Sequence, residues 1–342
     1  MKVALISDNF HPKIGGPFTV INAAQKALAK KQINAEIITK LKINKRKKPN
    51  LYKVLKKFDV CHFYGGWTYF HVKCFWTAHK LKKKIVIDPI GYYEPWSFTQ
   101  KTIKKNIAWF LYQKKILQKA NLIICSSFLE KKNLLKLNKN FNIKVIPYGI
   151  HETFIKKKFI KKKINNKAIF FSRIHKKKGI ECLIKSWNEI NDANWTLDIC
   201  GPSDDKKYLK KINFLAKNSK INFIKPIYGD KKKIKLLDKY DVFLLPTYSE
   251  NFGMVILESL ARGLPVLTTT NTPWSNIKRL NAGWVINSNL KHLKFTLIKI
   301  FTLSKKKFNI KSRNALTLSK KYNWNNISRL YINIYRQLLK HS

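Results

Sequence analysis

Two glutamates stand eight residues apart in the segment 246–265, Pro-Thr-Tyr-Ser-Glu250-Asn251-Phe252-Gly253-Met-Val-Ile-Leu-Glu258-Ser-Leu-Ala-Arg262-Gly-Leu-Pro. The segment follows an apolar run that reads as a buried strand, and it opens a helical pattern. Glu250 therefore falls in the loop, and the amides of residues 251 to 254 form the positive helix end. The interval to Glu258 is roughly 12 Å if wholly helical, and shorter because it begins in a loop. That matches the reach from a sugar ring to a ribose across a diphosphate, so one carboxylate suits the hydroxyls of a transferred sugar and the other those of a ribose. The same residues admit a plainer reading, with Glu250 a helix-capping acid and Glu258 a solvated surface group.

A second cluster follows the apolar run 168–172: Arg173-Ile-His175-Lys-Lys-Lys178-Gly179. An Arg at a strand end and a Lys five residues later, near a helix start, converge on one pyrophosphate. Lys176 and Lys177 read equally well as a solvated charge run. No Asp-x-Asp occurs, so no Mg²⁺ ligand set is evident. Neither a metal nor another cofactor is expected, and these cations would stabilise a leaving diphosphate themselves. Gly15-Gly16, after the first apolar run, lets backbone N–H groups approach an anion or simply makes a tight turn. Neither the G-x-G-x-x-G fingerprint nor a Walker A sequence is present.

The elements that must position these residues are β-branched or apolar runs alternating with helical stretches. Strands are predicted at 3–8, 35–39, 60–64, 85–89, 122–127 and 143–147, then at 168–173, 196–200, 221–224, 242–246, 265–270 and 283–286. Helices are predicted near 17–31, 69–82, 101–119 and 128–138. Continuous apolar strands are buried on both faces, which makes this α/β with parallel sheets rather than a sandwich. The expectation is two Rossmann-like domains whose sheets face a central cleft: an acceptor-side domain at 1–150, a basic linker at 151–166, a donor domain at 167–320, and a C-terminal segment, 321–342, packing back across both.

Composition narrows the function classes. The 342 residues carry 70 Lys and Arg against 18 Asp and Glu, a net charge of +52, yet 45% are hydrophobic and 13% aromatic, ample for buried cores. Residues 1–150 hold 30 basic and 6 acidic residues and the remainder 40 and 12, so the excess is spread evenly, and only seven cations are Arg. A nucleic-acid reader concentrates charge and favours the guanidinium fork, so no nucleic acid is expected as partner. A drift of composition toward Lys explains most of the excess; the other reading is a preference for anionic surfaces such as phospholipid headgroups. The five cysteines, Cys61, Cys74, Cys125, Cys182 and Cys200, form no C-x-x-C pair and read as small buried hydrophobes of a reducing compartment. No apolar stretch is long enough to span a bilayer, and the chain enters a strand pattern without a signal peptide, so a cytoplasmic protein is expected. The predicted helix 101–119 sets Lys101, Lys104, Lys105, Lys114 and Lys115 beside Ile107, Trp109, Phe110 and Leu111, as a helix lying on the inner leaflet would.

Together, Arg173…Lys178, the Glu250-x7-Glu258 segment with its Asn-Phe-Gly, Gly15-Gly16 and Val-Ile-Pro-Tyr-Gly-Ile at 145–150 resemble the family-4 (group 1) retaining glycosyltransferases of the GT-B fold. The resemblance runs from residue 1 to about residue 336, with Tyr322-Asn-Trp324 similar to the family's C-terminal end. Within the family, His62-Phe-Tyr64-Gly-Gly-Trp67 and Asp88-Pro-Ile-Gly-Tyr-Tyr-Glu94-Pro-Trp96 look like members that build lipopolysaccharide or exopolysaccharide.

The resemblance implies a nucleotide-sugar donor, a saccharide or lipid-linked saccharide acceptor, and a metal-independent reaction that retains the anomeric configuration. It assigns the donor pyrophosphate to Arg173 and Lys178, the transferred sugar to Glu250 and the backbone of Asn251, Phe252 and Gly253, the ribose to Glu258, and a phosphate or sugar contact to Gly15 and Gly16. His62, Tyr64, Trp67, Glu94 and Trp96 become candidate acceptor or sugar contacts. His62 reads equally as a satisfied core histidine, and the aromatics as packing. The sequence departs from the pattern at Tyr64 and Ile90, where many members carry His and Arg. Rival readings are a non-enzymatic basic protein that binds nucleic acid or membrane, and a nucleotide-sugar epimerase on the same fold.

Overall fold

The computed structural model describes residues 1–40, 50–95, 102–156, 164–192, 194–217 and 219–340. Its apolar runs pair into two six-stranded sheets in which every neighbouring pair is parallel. The first comprises β1 (Lys2–Ile6), β2 (Asn34–Ile38), β3 (Val60–Tyr64), β4 (Lys84–Asp88), β5 (Leu122–Cys125) and β6 (Ile143–Val145), in the order β2-β1-β3-β4-β5-β6. The second comprises β7 (Lys167–Phe171), β8 (Thr196–Cys200), β9 (Ile221–Ile224), β10 (Val242–Leu244), β11 (Val266–Thr269) and β12 (Gly283–Ile286), in the order β12-β11-β10-β7-β8-β9. All twelve strands fall where the apolar runs predict them, with ends moved by a residue or two.

Two compact units result, one of Met1–Gly149 with Trp324–Ser342, the other of Ile150–Asn323. The C-terminal helix, Trp324–Lys340, thus belongs with the first sheet, where it packs on the helix Gly16–Ala29. Gly149 must be glycine there, because a Cβ would press into the Trp324 ring. Arg262 is buried and acts inside the second unit. Its guanidinium forks onto Asp238 at 2.7 and 3.0 Å and donates to the Phe154 carbonyl at 2.9 Å, fixing the start of the unit to the end of the helix Met254–Ala261.

Strand order decides where ligands sit. In an open parallel sheet they bind beyond the carboxyl ends of the strands, at the point where the order reverses. In the second sheet that point lies between β7 and β10, and in the first between β1 and β3. Two helical features lie outside the sequence expectation. A short helix, Leu51–Lys56, is capped by the Asn50 side chain. The predicted helix at 101–119 is interrupted by a wider turn at Trp109–Gln113 between Thr102–Ala108 and Lys114–Lys119. Among the described residues no helix is long and apolar enough to cross a membrane.

Candidate active site

The loop after β7 is folded tightly onto the loop after β10. The His175 imidazole accepts from the Lys177 N–H at 3.1 Å and starts the turn Lys176–Lys178. Gly179 closes that turn at φ +68°, where a Cβ would collide with the carbonyl oxygen of Pro246. Only glycine lets the two loops come so close. The Lys177 carbonyl accepts from the Tyr248 N–H at 2.8 Å and from the Thr247 hydroxyl at 3.0 Å. Neighbouring residues of one lysine run are therefore split: Lys176 faces solvent while Lys178 is buried.

Lys178 Nζ donates to Glu250 Oε2, and both side chains are largely shielded, at 10% and 16% exposure. The Glu250 N–H is held by the Asn271 carbonyl at 3.2 Å, which ties in the loop after β11. Gly253 follows at φ +78°, and the helix Met254–Ala261 begins behind it with its first-turn amides pointing back toward this loop. Arg173, just past the end of β7, is exposed and makes no ion pair among the described residues. Its charge, with those of Lys177 and Lys178, adds to burial in lowering the His175 pKa.

Glu258 is not the solvated group that an isolated reading allows; it is 1% exposed. Its Oε1 accepts from Lys233 Nζ at 2.6 Å, and Oε2 has no hydrogen-bond partner among the described residues. Burial raises its pKa above the ordinary carboxylate value, while the Lys233 charge pulls it back. Lys233 Nζ also lies 5.9 Å from the centre of the Phe171 ring, at the end of β7. Sequence reasoning missed Lys233, which hides in the run Lys231-Lys232-Lys233. The signal was there in helical spacing: Lys233 shares a face with Leu236 and Leu237, both buried, whereas Lys231 and Lys232 are exposed.

Of the remaining donor-side candidates, Asn251 is half-buried, and Phe252 is a packing residue. The Phe252 ring meets Trp274 edge-on at 5.3 Å, and its carbonyl accepts from the Trp274 indole N–H. Gly15, at φ +71°, precedes the helix Gly16–Ala29, and a Cβ on either Gly15 or Gly16 would meet nothing within 4 Å. Space alone thus does not demand these glycines; backbone conformation does so at Gly15.

The first-unit candidates fare differently. His62 and Tyr64, expected as acceptor or sugar contacts, are 0% and 1% exposed and are packed inside the first unit. They alternate along β3 and so share one face, stacked at 4.4 Å. The helix Trp324–Lys340 covers that face, with Tyr335 Oη 2.7 Å from His62 Nδ1. Burial lowers the His62 pKa to about 3, so the ring is neutral at physiological pH.

Asp88 and Glu130 lie in the same interior. The Tyr148 hydroxyl donates to Asp88 Oδ1 at 2.7 Å and the Ile90 N–H at 3.1 Å, while Ser126 and the Gly91 N–H donate to Glu130 at 2.8 Å. Burial raises both carboxyl pKa values. Glu94 is also buried. Trp67 holds φ +69° and packs on Tyr93 and Trp109 at 5.3 and 6.5 Å, its carbonyl accepting from Tyr112 Oη at 2.9 Å. Trp96 lies outside the described residues, as do 157–163 of the basic linker. Among the described residues no group of three or more His, Cys, Asp or Glu is placed to hold a metal ion.

Comparison with known proteins agrees with this layout. An uncharacterized glycosyltransferase of Methanocaldococcus jannaschii is 29% identical over 172 residues, covering 49% of this chain and 44% of that protein. Among solved structures, sucrose-phosphate synthase from Thermosynechococcus elongatus matches over 100% of both chains with a TM-score of 0.78 at 16% identity. Anabaena HepE, in complex with UDP and glucose, matches with a TM-score of 0.76 at 15% identity, over 98% of this chain and 100% of that one. The chain spans less than two thirds of the length of the curated relatives it matches. Residues 151–316 match the family described as Glycosyl transferases group 1. The group 1 glycosyltransferase match thus covers the second unit, and the two-sheet architecture of the chain is the GT-B fold of these solved structures.

Proposed function

We propose that this protein is a metal-independent, retaining glycosyltransferase that moves a sugar from a nucleoside-diphosphate sugar onto a saccharide or lipid-linked saccharide. The product would belong to lipopolysaccharide, O-antigen or exopolysaccharide. The observation that carries the reading is the Lys178–Glu250 pair at the reversal point of the second sheet, beside Arg173 and a helix start. HepE, of the same fold, binds UDP at 15% identity, which is compatible with a nucleotide donor here.

In this reading the anomeric C–O bond to the diphosphate breaks as the acceptor oxygen bonds to the same face of the sugar, and the acceptor proton passes to the departing phosphate oxygen. Arg173, Lys178 and the amides that open Met254–Ala261 carry the growing negative charge. Glu250 orients the sugar hydroxyls and supports the ring as positive charge develops, and Glu258 takes the ribose. Screening UDP-, GDP- and ADP-sugars for thermal stabilisation, then following nucleotide release with and without a chelator, tests this. One donor should stabilise the chain and turn over equally in both conditions. Stabilisation by none, or turnover abolished by the chelator, would contradict the reading.

A cytoplasmic, membrane-peripheral setting fits the outward face of 102–119. Ile103, Ile107, Phe110 and Leu111 are 78%, 54%, 78% and 73% exposed, alongside Lys104 and Lys115, which are exposed too. An apolar stripe flanked by ammonium groups suits an anionic leaflet. Sedimentation with phosphatidylglycerol vesicles, and not with phosphatidylcholine vesicles, is expected. Equal recovery in the supernatant with both would point to a soluble acceptor.

A further inference from the structure

Glu258 presents an incomplete hydrogen-bond account. It is 1% exposed, Oε1 is engaged by Lys233, and Oε2 has no partner among the described residues. A buried carboxylate oxygen left without a donor is costly, and native chains retain such groups where a ligand or water completes them. Lys233 is the more exposed member of the pair, at 14% for its side chain against 2%. It projects from the first turn of Asp230–Leu237, a helix whose inward face is otherwise leucine. Asp230 lies on the same turn and opposes ionisation of Glu258, so the Lys233 ammonium is what favours the charged form.

We infer that Lys233 is the positioning residue for Glu258 in donor binding: it holds the carboxylate by Oε1 and leaves Oε2 as the acceptor for a ribose hydroxyl. The inference rests on the donor reading above and adds a residue and a division of labour to it. Glu258 is enclosed, and Lys233 is the member of the pair that keeps some exposed surface. Replacing Lys233 by an apolar residue leaves a buried acid with no compensating cation, which favours its protonated form and spoils it as an acceptor.

The test titrates UDP, GDP and ADP against the wild type, takes the tightest binder, and compares it with its 2′,3′-dideoxy counterpart. The same ratio is measured for K233M, K233R, E258Q and K233M/E258Q. Wild type should prefer the intact ribose by about tenfold or more, the worth of a hydrogen bond to a charged acceptor. K233M and E258Q should each bring the ratio to within about twofold, the double variant should lose no more than either alone, and K233R should restore most of the preference. Should K233M be poorly folded, K233M/E258Q, which removes both charges together, and K233R still report the ratio. A wild-type preference retained in K233M or in the double variant overturns the inference while leaving the donor reading intact. Absence of binding by all three nucleotides to the wild type overturns the donor reading, and the inference falls with it.

Discussion

In the second unit the buried or half-buried acids Glu250 and Glu258 face the ammonium groups of Lys178 and Lys233. In the first, Asp88 is held by the Tyr148 hydroxyl and the Ile90 N–H, beside the tyrosines of the C-terminal helix, and its pKa is driven up by burial and by the nearby Glu130. At Glu258 the Lys233 charge works against burial and favours the ionised form, the better acceptor for a ligand. The neutral donors around Asp88 bring no such opposing charge into its dry interior. In a chain with 70 cations, the informative fact is thus which few of them are buried beside an acid.

The largest expected break in this contrast is at Glu250. E250A should lower transfer by about 10²-fold to 10³-fold, the range for removing an electrostatic contact to a developing charge, and K178M should fall in the same range. Initial rates with saturating donor check both. D88A, by contrast, should leave donor affinity unchanged but cost about 1–3 kcal/mol of stability, because the Tyr148 hydroxyl and Ile90 N–H lose their acceptor. Chemical denaturation measures that loss.

D88N sharpens the point, since its amide oxygen can still accept both bonds. Burial raises the Asp88 pKa in the folded chain, so as pH rises the unfolded chain gives up this proton first. The contribution is fully present below the ordinary Asp pKa of about 3.9 and is lost as pH climbs toward the raised folded value. D88N should therefore match or exceed wild-type Tm at pH 8 and lose that advantage at low pH. A lower Tm for D88N at pH 8 would mean Asp88 is needed as a carboxylate.

Much of the fold was legible because strands buried on both faces show as unbroken apolar runs, and those runs bracket the loops that carry Arg173, Lys178 and Glu250, ahead of the helix that carries Glu258. Lys233 was not legible as a site residue, because a lysine triplet looks solvated unless its helical phase is read against Leu236 and Leu237. His62 and Tyr64 were ambiguous for another reason. Their face of β3 is covered by a helix that begins at Trp324, far along the chain, and local pattern carries no record of such a cover. The smallest expected effect follows from that. H62F, which leaves the Tyr335 hydroxyl without its partner, should cost about 0.5–1.5 kcal/mol and leave donor affinity within about twofold. A much larger fall in donor affinity would return His62 to the site.

The most direct test of the claim that lysine-paired acids form the donor site is thermal unfolding of the wild type and K178M, each with and without UDP-, GDP- and ADP-sugars. One donor should raise the wild-type Tm and fail to raise that of K178M. An equal rise in both chains, or no rise in the wild type with any donor, would contradict it.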